Sequence, residues 1–127
     1  GPSLIATHTV PPLPTRLDSW GRGLEWVAAR CKEGETIVAG DLNATLDHFG
    51  GLRDAGADLG ACRDGANVLG SAALGTWPSQ AHMFLASPID HVMATPEWKF
   101  VAFRVATELD GTGSDQRALL ATLRRVR

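Results

Sequence analysis

The chain has 127 residues, 44% of them apolar and 20% charged, which is enough for one buried core and too apolar for a disordered segment. Its formal net charge of −2 leaves no electrostatic footprint for nucleic acid. Arg117, Arg124, Arg125 and Arg127 crowd one end as a solvated basic tail, and no apolar run is long enough to span a bilayer.

In chain order, Gly1-Pro2-Ser3 reads as a protease-cleavage scar, and nothing after it reads as a signal peptide. The chain is therefore expected to be a piece of something longer, with its domain over residues 4–127. Residues 4–10, "LIATHTV", predict a buried strand with His8 near its end, and "PPLP" then breaks regular structure. Asp18 or Ser19 is expected to cap a helix running to about Cys31. Trp20, Leu24, Val27 and Ala28 share one face of it at helical spacing, and Gly34 closes it. "TIVAGDLN" predicts a strand from Thr36 to Ala39 that ends at Gly40-Asp41.

Residues 49–57 predict a short, glycine-interrupted helix, and 58–76, rich in Gly and Ala, a loop. "IDHVMAT", "FVAFRVATEL" and "ALLATLRRV" predict three strands separated by Pro96 and by the Gly111–Gly113 loop. The order βαβ(α)βββ predicts an α/β domain: a mixed sheet with helical cover and one main early helix. Cys31 and Cys62 lie in no zinc spacing and permit one disulfide or none; an oxidising compartment would allow the bridge, and the cytoplasm would keep both thiols reduced. The bias toward Ala, Gly, Arg and Val, with two Lys and no Tyr, suggests a GC-rich bacterial genome.

Several strands run out into acids and amides. In "AGDLNAT", Asp41 and Asn43 lie two apart, so extended geometry would point both side chains one way, a pair suited to a hard cation or a phosphate oxygen. A turn in which both merely bond the backbone is the competing reading. Asp90 in "SPIDHVMAT" needs a specific partner because a carboxylate among Ile89 and Val92 is costly to bury. His91 points to the opposite face and reads as an exposed or satisfied histidine. "GTGSDQ" delivers Asp115 to the start of the last strand, and Trp77 in "GTWP" offers a flat face for a pocket floor or a base, or an ordinary core side chain. His48 and His82 fall in loops and carry no assignment.

Taken together, "IVAGDLNAT", "GTWPS…PIDHVMAT" and "GSDQRALLATL" resemble, in order and spacing, the GD[FL]N, [ILV]D[HYR][VI] and GSDH[RY]xL motifs of the endonuclease/exonuclease/phosphatase superfamily. The likeness is to the C-terminal half of that fold, a four-layer α/β sandwich. More narrowly it is to bacterial members that often carry membrane helices ahead of the domain. The resemblance implies metal-assisted hydrolysis of a phosphoester by an in-line water. It also implies a domain exposed outside the cytoplasm in a membrane-anchored protein, the fragment itself being soluble.

Carried over by position, Asp41 would orient or deprotonate the water, Asn43 would hold a phosphate oxygen, and His8 would contact the phosphate. Asp115, with Asp41, would ligate Mg²⁺ or Mn²⁺, weakly in this fragment, and Trp77 would line the substrate site. Asp90 would pair with the histidine that follows Ser-Asp in the family, but here that residue is Gln116. The substitution predicts weakened or absent activity, and the rival reading is a catalytically silent phosphate-binding, nucleic-acid-binding or scaffold module. The implied partners are a phosphoester (nucleic acid, lipid head group or inositol phosphate) and the N-terminal half of the same domain, with a homodimer through unpaired strands as a further expectation.

Overall fold

The computed structural model describes residues 2–10, 12–70, 89–106 and 118–126. Strand β1 (Ser3–His8) and strand β2 (Thr36–Asp41) are parallel neighbours. A parallel pair needs a crossover, and helix α1 (Leu17–Arg30) provides it. Its Leu24, Val27 and Ala28 are buried with Trp20 packed beside them, as the 3.6-residue spacing predicts. The start of the helix differs from expectation. Arg16 occupies the N-cap without a side-chain hydrogen bond, so neither Asp18 nor Ser19 caps it; Asp18 lies in the first turn, where its charge suits the helix dipole. The last helical residue is Arg30, and Gly34 takes φ +155° in the turn leading to β2.

Strand β3 (Arg63–Asp64) and helix α2 (Gly65–Val68) lie where a loop was expected. The signal that could have revealed them is Asp64, whose carboxylate accepts the Asn67 N–H as an N-cap. The helix expected over 49–57 is absent. A 3-10 turn at Leu46–Phe49 stands before it, capped reciprocally by Thr45 and His48. Burial of Phe49 fixes that turn, while Gly50, Gly51 and Gly56, the last at φ +78°, disfavour continuing it.

Strand β4 (Asp90–Ala94) runs antiparallel to β2 and, on its other side, to β3, giving a mixed sheet in the order β1-β2-β4-β3. Strands β5 (Trp98–Ala106) and β6 (Ala118–Arg125) form a separate antiparallel pair. The strands expected from "IDHVMAT", "FVAFRVATEL" and "ALLATLRRV" are therefore present as far as the described residues reach. The fold is a mixed α/β arrangement with one main early helix, as expected.

Alternation along the strands sorts the two faces of the sheet. Val38 and Met93 are register partners on the face covered by α1, and with Leu24, Val27, Leu42, Phe49 and Leu59 they form the core. Each such side chain contributes ~1.5–3 kcal/mol through its burial. Cys31, just after α1, is bonded to Cys62 at a Cα separation of 5.5 Å, so the bridge that the sequence left open is formed. With a sequence separation of 31 between the partners, loop-closure entropy makes the bond worth about 3–4 kcal/mol. Replacing both cysteines by serine is expected to lower stability by that amount in urea unfolding. A double variant with the parent midpoint would refute it. Among the described residues no helix is long and apolar enough to cross a membrane.

Candidate active site

The site is built where β1, β2 and β4 end together. His8 pairs with Asp41 and Asp41 with Asp90 in the strand register, so three residues singled out from three distant motifs form one lateral row. Register partners project from the same face of a sheet at close spacing. This row faces away from α1, on the side opposite Val38 and Met93. His8 Nε2 lies 3.5 Å from Asp41 Oδ2; the imidazole is 72% exposed and the carboxylate only 12%. The row thus joins a solvent-facing base to a sheltered acid, with a second carboxylate beside it. Two carboxylates placed opposite one another are destabilising unless donors or a cation compensate, and sites that bind hard cations use that arrangement.

The backbone that follows Asp41 is a tight turn rather than extended chain. Asn43 sits at φ +48°, a left-handed conformation that asparagine tolerates. Its N–H donates to Asp41 Oδ1 at 2.8 Å, and its Nδ2 donates to the Thr9 carbonyl at 2.8 Å. The expectation that Asp41 and Asn43 project in parallel from an extended strand is thereby corrected: the left-handed residue breaks the period of two, and the pair makes the backbone-bonded turn. Thr9 Oγ1 and Trp20 Nε1 both donate to the Leu42 carbonyl, at 2.6 and 3.2 Å, and Leu42 N–H donates to Ile89. β1, α1 and the approach to β4 therefore all hold this turn.

Gly40 explains why the motif begins with glycine. Its φ is +146°, and a Cβ there would come within 1.9 Å of the Thr7 carbonyl oxygen on the neighbouring strand. Both atoms are locked in the ladder, so relief requires separating β1 from β2. Gly40→Ala is expected to cost about 3 kcal/mol or more. Chemical denaturation checks this, and an unchanged midpoint would contradict the clash.

On the other face of β4, His91 is buried, which selects the satisfied histidine over the exposed one. Its Nδ1 lies 2.8 Å from Asp64 Oδ1 and its Nε2 lies 2.6 Å from the Ala44 carbonyl oxygen. Asp64 is held in turn: its N–H donates to Asp58 Oδ2, and Asn67 Nδ2 donates to Asp58 Oδ1. Sequence reasoning missed this acid network because Asp58 and Asp64 lie in the stretch assigned to loop. Burial, the largest influence, pushes the His91 pKa down; the hydrogen bond and charge of Asp64, the Ala44 carbonyl and the charge of Asp90 together outweigh it and hold the ring above its ordinary 6.5.

Trp77, Asp115 and Gln116 lie outside the described residues, as does His82. His48 stands in the 3-10 turn, where Nδ1 accepts the Thr45 N–H. Among the described residues no three acidic, histidine or cysteine side chains converge as a metal site. The described donors are oxygen-rich and sheltered at Asp41, a chemistry that fits a hard divalent cation and supplies part of a coordination shell. An apolar groove of about 380 Å³, lined by Leu69, Trp98, Phe100 and Val126 among others, opens at the far end of β4 and contains none of the row.

A family model described as the endonuclease/exonuclease/phosphatase family matches residues 4–115. Among solved structures, a humanized TDP2 from D. rerio superposes with a TM-score of 0.73 at 19% identity, over 95% of this chain and 54% of that one. A mannosyl-6-phosphatase from Bacteroides thetaiotaomicron gives 0.62 at 20% identity, covering 95% and 50% respectively. An endonuclease/exonuclease/phosphatase from Beutenbergia cavernae gives 0.63 at 18%, covering 96% and 36%. The chain thus spans roughly half or less of the length of these structures. No curated protein matches it in sequence.

Proposed function

We propose, because the chain belongs to the endonuclease/exonuclease/phosphatase family, that it serves the divalent-metal-dependent hydrolysis of a phosphoester. The observation that carries this reading is the row His8–Asp41–Asp90, with Asn43 locked onto Asp41. Asp41 is the group to orient and deprotonate the attacking water, being sheltered, acidic and adjacent to an imidazole. His8, exposed at the rim, meets the phosphate. One amide hydrogen of Asn43 is engaged by Thr9, leaving the other for a phosphate oxygen.

Asp41 and Asp115 are the residues to hold Mg²⁺ or Mn²⁺, which when bound neutralises charge on the phosphoryl oxygens. Asp90 supports residue 116, and Gln116 in place of an imidazole supplies a dipole where the family motif supplies a titratable group. Hydrolysis is on this account weakened. A phosphatase among the similar folds supports the phosphoester class without choosing between nucleic acid, lipid head group and inositol phosphate. The Cys31–Cys62 bond supports an oxidising, extracytoplasmic setting.

The test is hydrolysis of bis-p-nitrophenyl phosphate by the complete gene product with Mg²⁺ or Mn²⁺, and with chelator. Slow release abolished by chelator supports the proposal. Absence of release with every divalent metal, in the parent and in the position-116 variant argued below, would remove it.

A further inference from the structure

His91 is only 3% exposed and Asp64 2%, and neither belongs to the row of His8, Asp41 and Asp90. Yet the ring reaches the back of the site. At Nε2 it meets the Ala44 carbonyl, which can only accept, so that nitrogen must donate. At Nδ1 it meets a carboxylate oxygen of Asp64, whose other oxygen already accepts the Asn67 N–H. A neutral imidazole carries one N–H and cannot satisfy both; an imidazolium does. The groups facing the ring are Asp64 from β3, and Ala44 and the Phe49 ring, at 5.4 Å between centroids, from the segment after β2; the charge of Asp90, the preceding residue on the opposite face of β4, also acts on it. Asp58 stands behind Asp64.

We propose that His91 is a positioning residue for the hydrolysis proposed above: as an imidazolium it ties the Ala44 carbonyl to Asp64 and so fixes the Leu42–Ala44 turn that presents Asp41 and Asn43. The inference rests on that functional reading only for its catalytic consequence; the structural clamp stands separately. Ala44 follows Asn43 directly, so a carbonyl held at residue 44 anchors the chain on the far side of the left-handed Asn43 that bonds Asp41. Loss of the second ring proton frees one of the two contacts.

The clamp is complete below about 6.5, the ordinary histidine value, and is lost as pH rises through the higher folded value. Stability and the order of the turn therefore fall together toward alkaline pH.

Two measurements need no turnover. Imidazole nitrogen NMR of the parent should show protons on both His91 nitrogens at pH 6.5, and the Ala44 and Thr45 amide shifts should follow the ring as it deprotonates. Hydrogen-exchange protection of the amides from Asn43 to Phe49, corrected for intrinsic rates, should fall in the same range. His91→Gln retains a donor near the position of Nε2, and His91→Asn one near Nδ1. His91→Asn should lose about tenfold or more in protection of the turn and show a matching fall in kcat with KM little changed, whereas His91→Gln should keep both nearer the parent. A singly protonated parent ring overturns the proposal. So do two variants whose protection and kcat fall in proportion to their melting temperatures, which is the behaviour of a merely structural histidine. Absence of hydrolysis in the parent would count against the functional reading and leave the NMR and exchange results to decide this one.

Discussion

Asp41→Asn is expected to lower phosphodiester hydrolysis by about 10²–10⁴-fold while leaving the protein as stable as its parent or slightly more so. The loss follows from the role proposed for Asp41: a general base contributes about that factor, and an amide cannot accept the proton. The unchanged stability follows from the geometry. Asparagine keeps an oxygen where Asp41 Oδ1 accepts the Asn43 N–H, so the turn retains its bond. It also removes one member of the Asp41–Asp90 pair of like charges. Its contact with the solvent-exposed His8 imidazole, at 3.5 Å, is worth little in stability. Hydrolysis of the chromogenic diester with Mg²⁺, read beside a urea titration, separates the two effects. Equal loss of activity and stability would make Asp41 a structural residue, and unchanged activity would remove it from the chemistry.

The parts of this architecture that the sequence displayed were those with strong periodicity or strong punctuation. Helix α1 advertised itself through Trp20, Leu24, Val27 and Ala28, and β2 through an apolar run closed by Gly40. The row of His8, Asp41 and Asp90 was legible as three strand-end polar residues, although their pairing in one register is a property of the sheet order, which no local pattern encodes. The turn at Asn43 was hidden because the period-of-two argument assumes an extended chain, and a single left-handed residue voids it. β3 and α2 were hidden for another reason. Six residues spanning Arg63–Val68 are too few for a periodic signal, and their stability comes from long-range partners: Met93 and Ala94 across the ladder, His91 on Asp64. The acid partner of His91 could have been sought by asking what satisfies a histidine on the Met93 face of β4. That question predicts an acceptor and leaves its address open.

Gln116→His in the complete gene product is expected to raise hydrolysis about 10²–10³-fold, the range by which a preorganised donor stabilises developing charge. Asp90 is the partner that an imidazole at position 116 would gain. It ends the row beside Asp41, on the strand that also carries His91 on its opposite face. A carboxylate is a good partner for an imidazole: it fixes the tautomer, raises basicity and stabilises the protonated ring next to a pentacoordinate phosphorus. In the proposed pairing with Gln116 it would only accept a hydrogen bond from a neutral amide, which would supply orientation without charge. Restoring the imidazole should also bring in a new ionisation, visible as a limb of the rate–pH profile missing from the parent. That limb separates repair from a general improvement in folding, which would raise the rate uniformly across pH. A rate unchanged with Mg²⁺, Mn²⁺ and Ca²⁺ would instead make the row a phosphate-binding surface that has no chemistry to recover, and a phosphate titration of His8 and Asn43 amide shifts would then measure its remaining affinity.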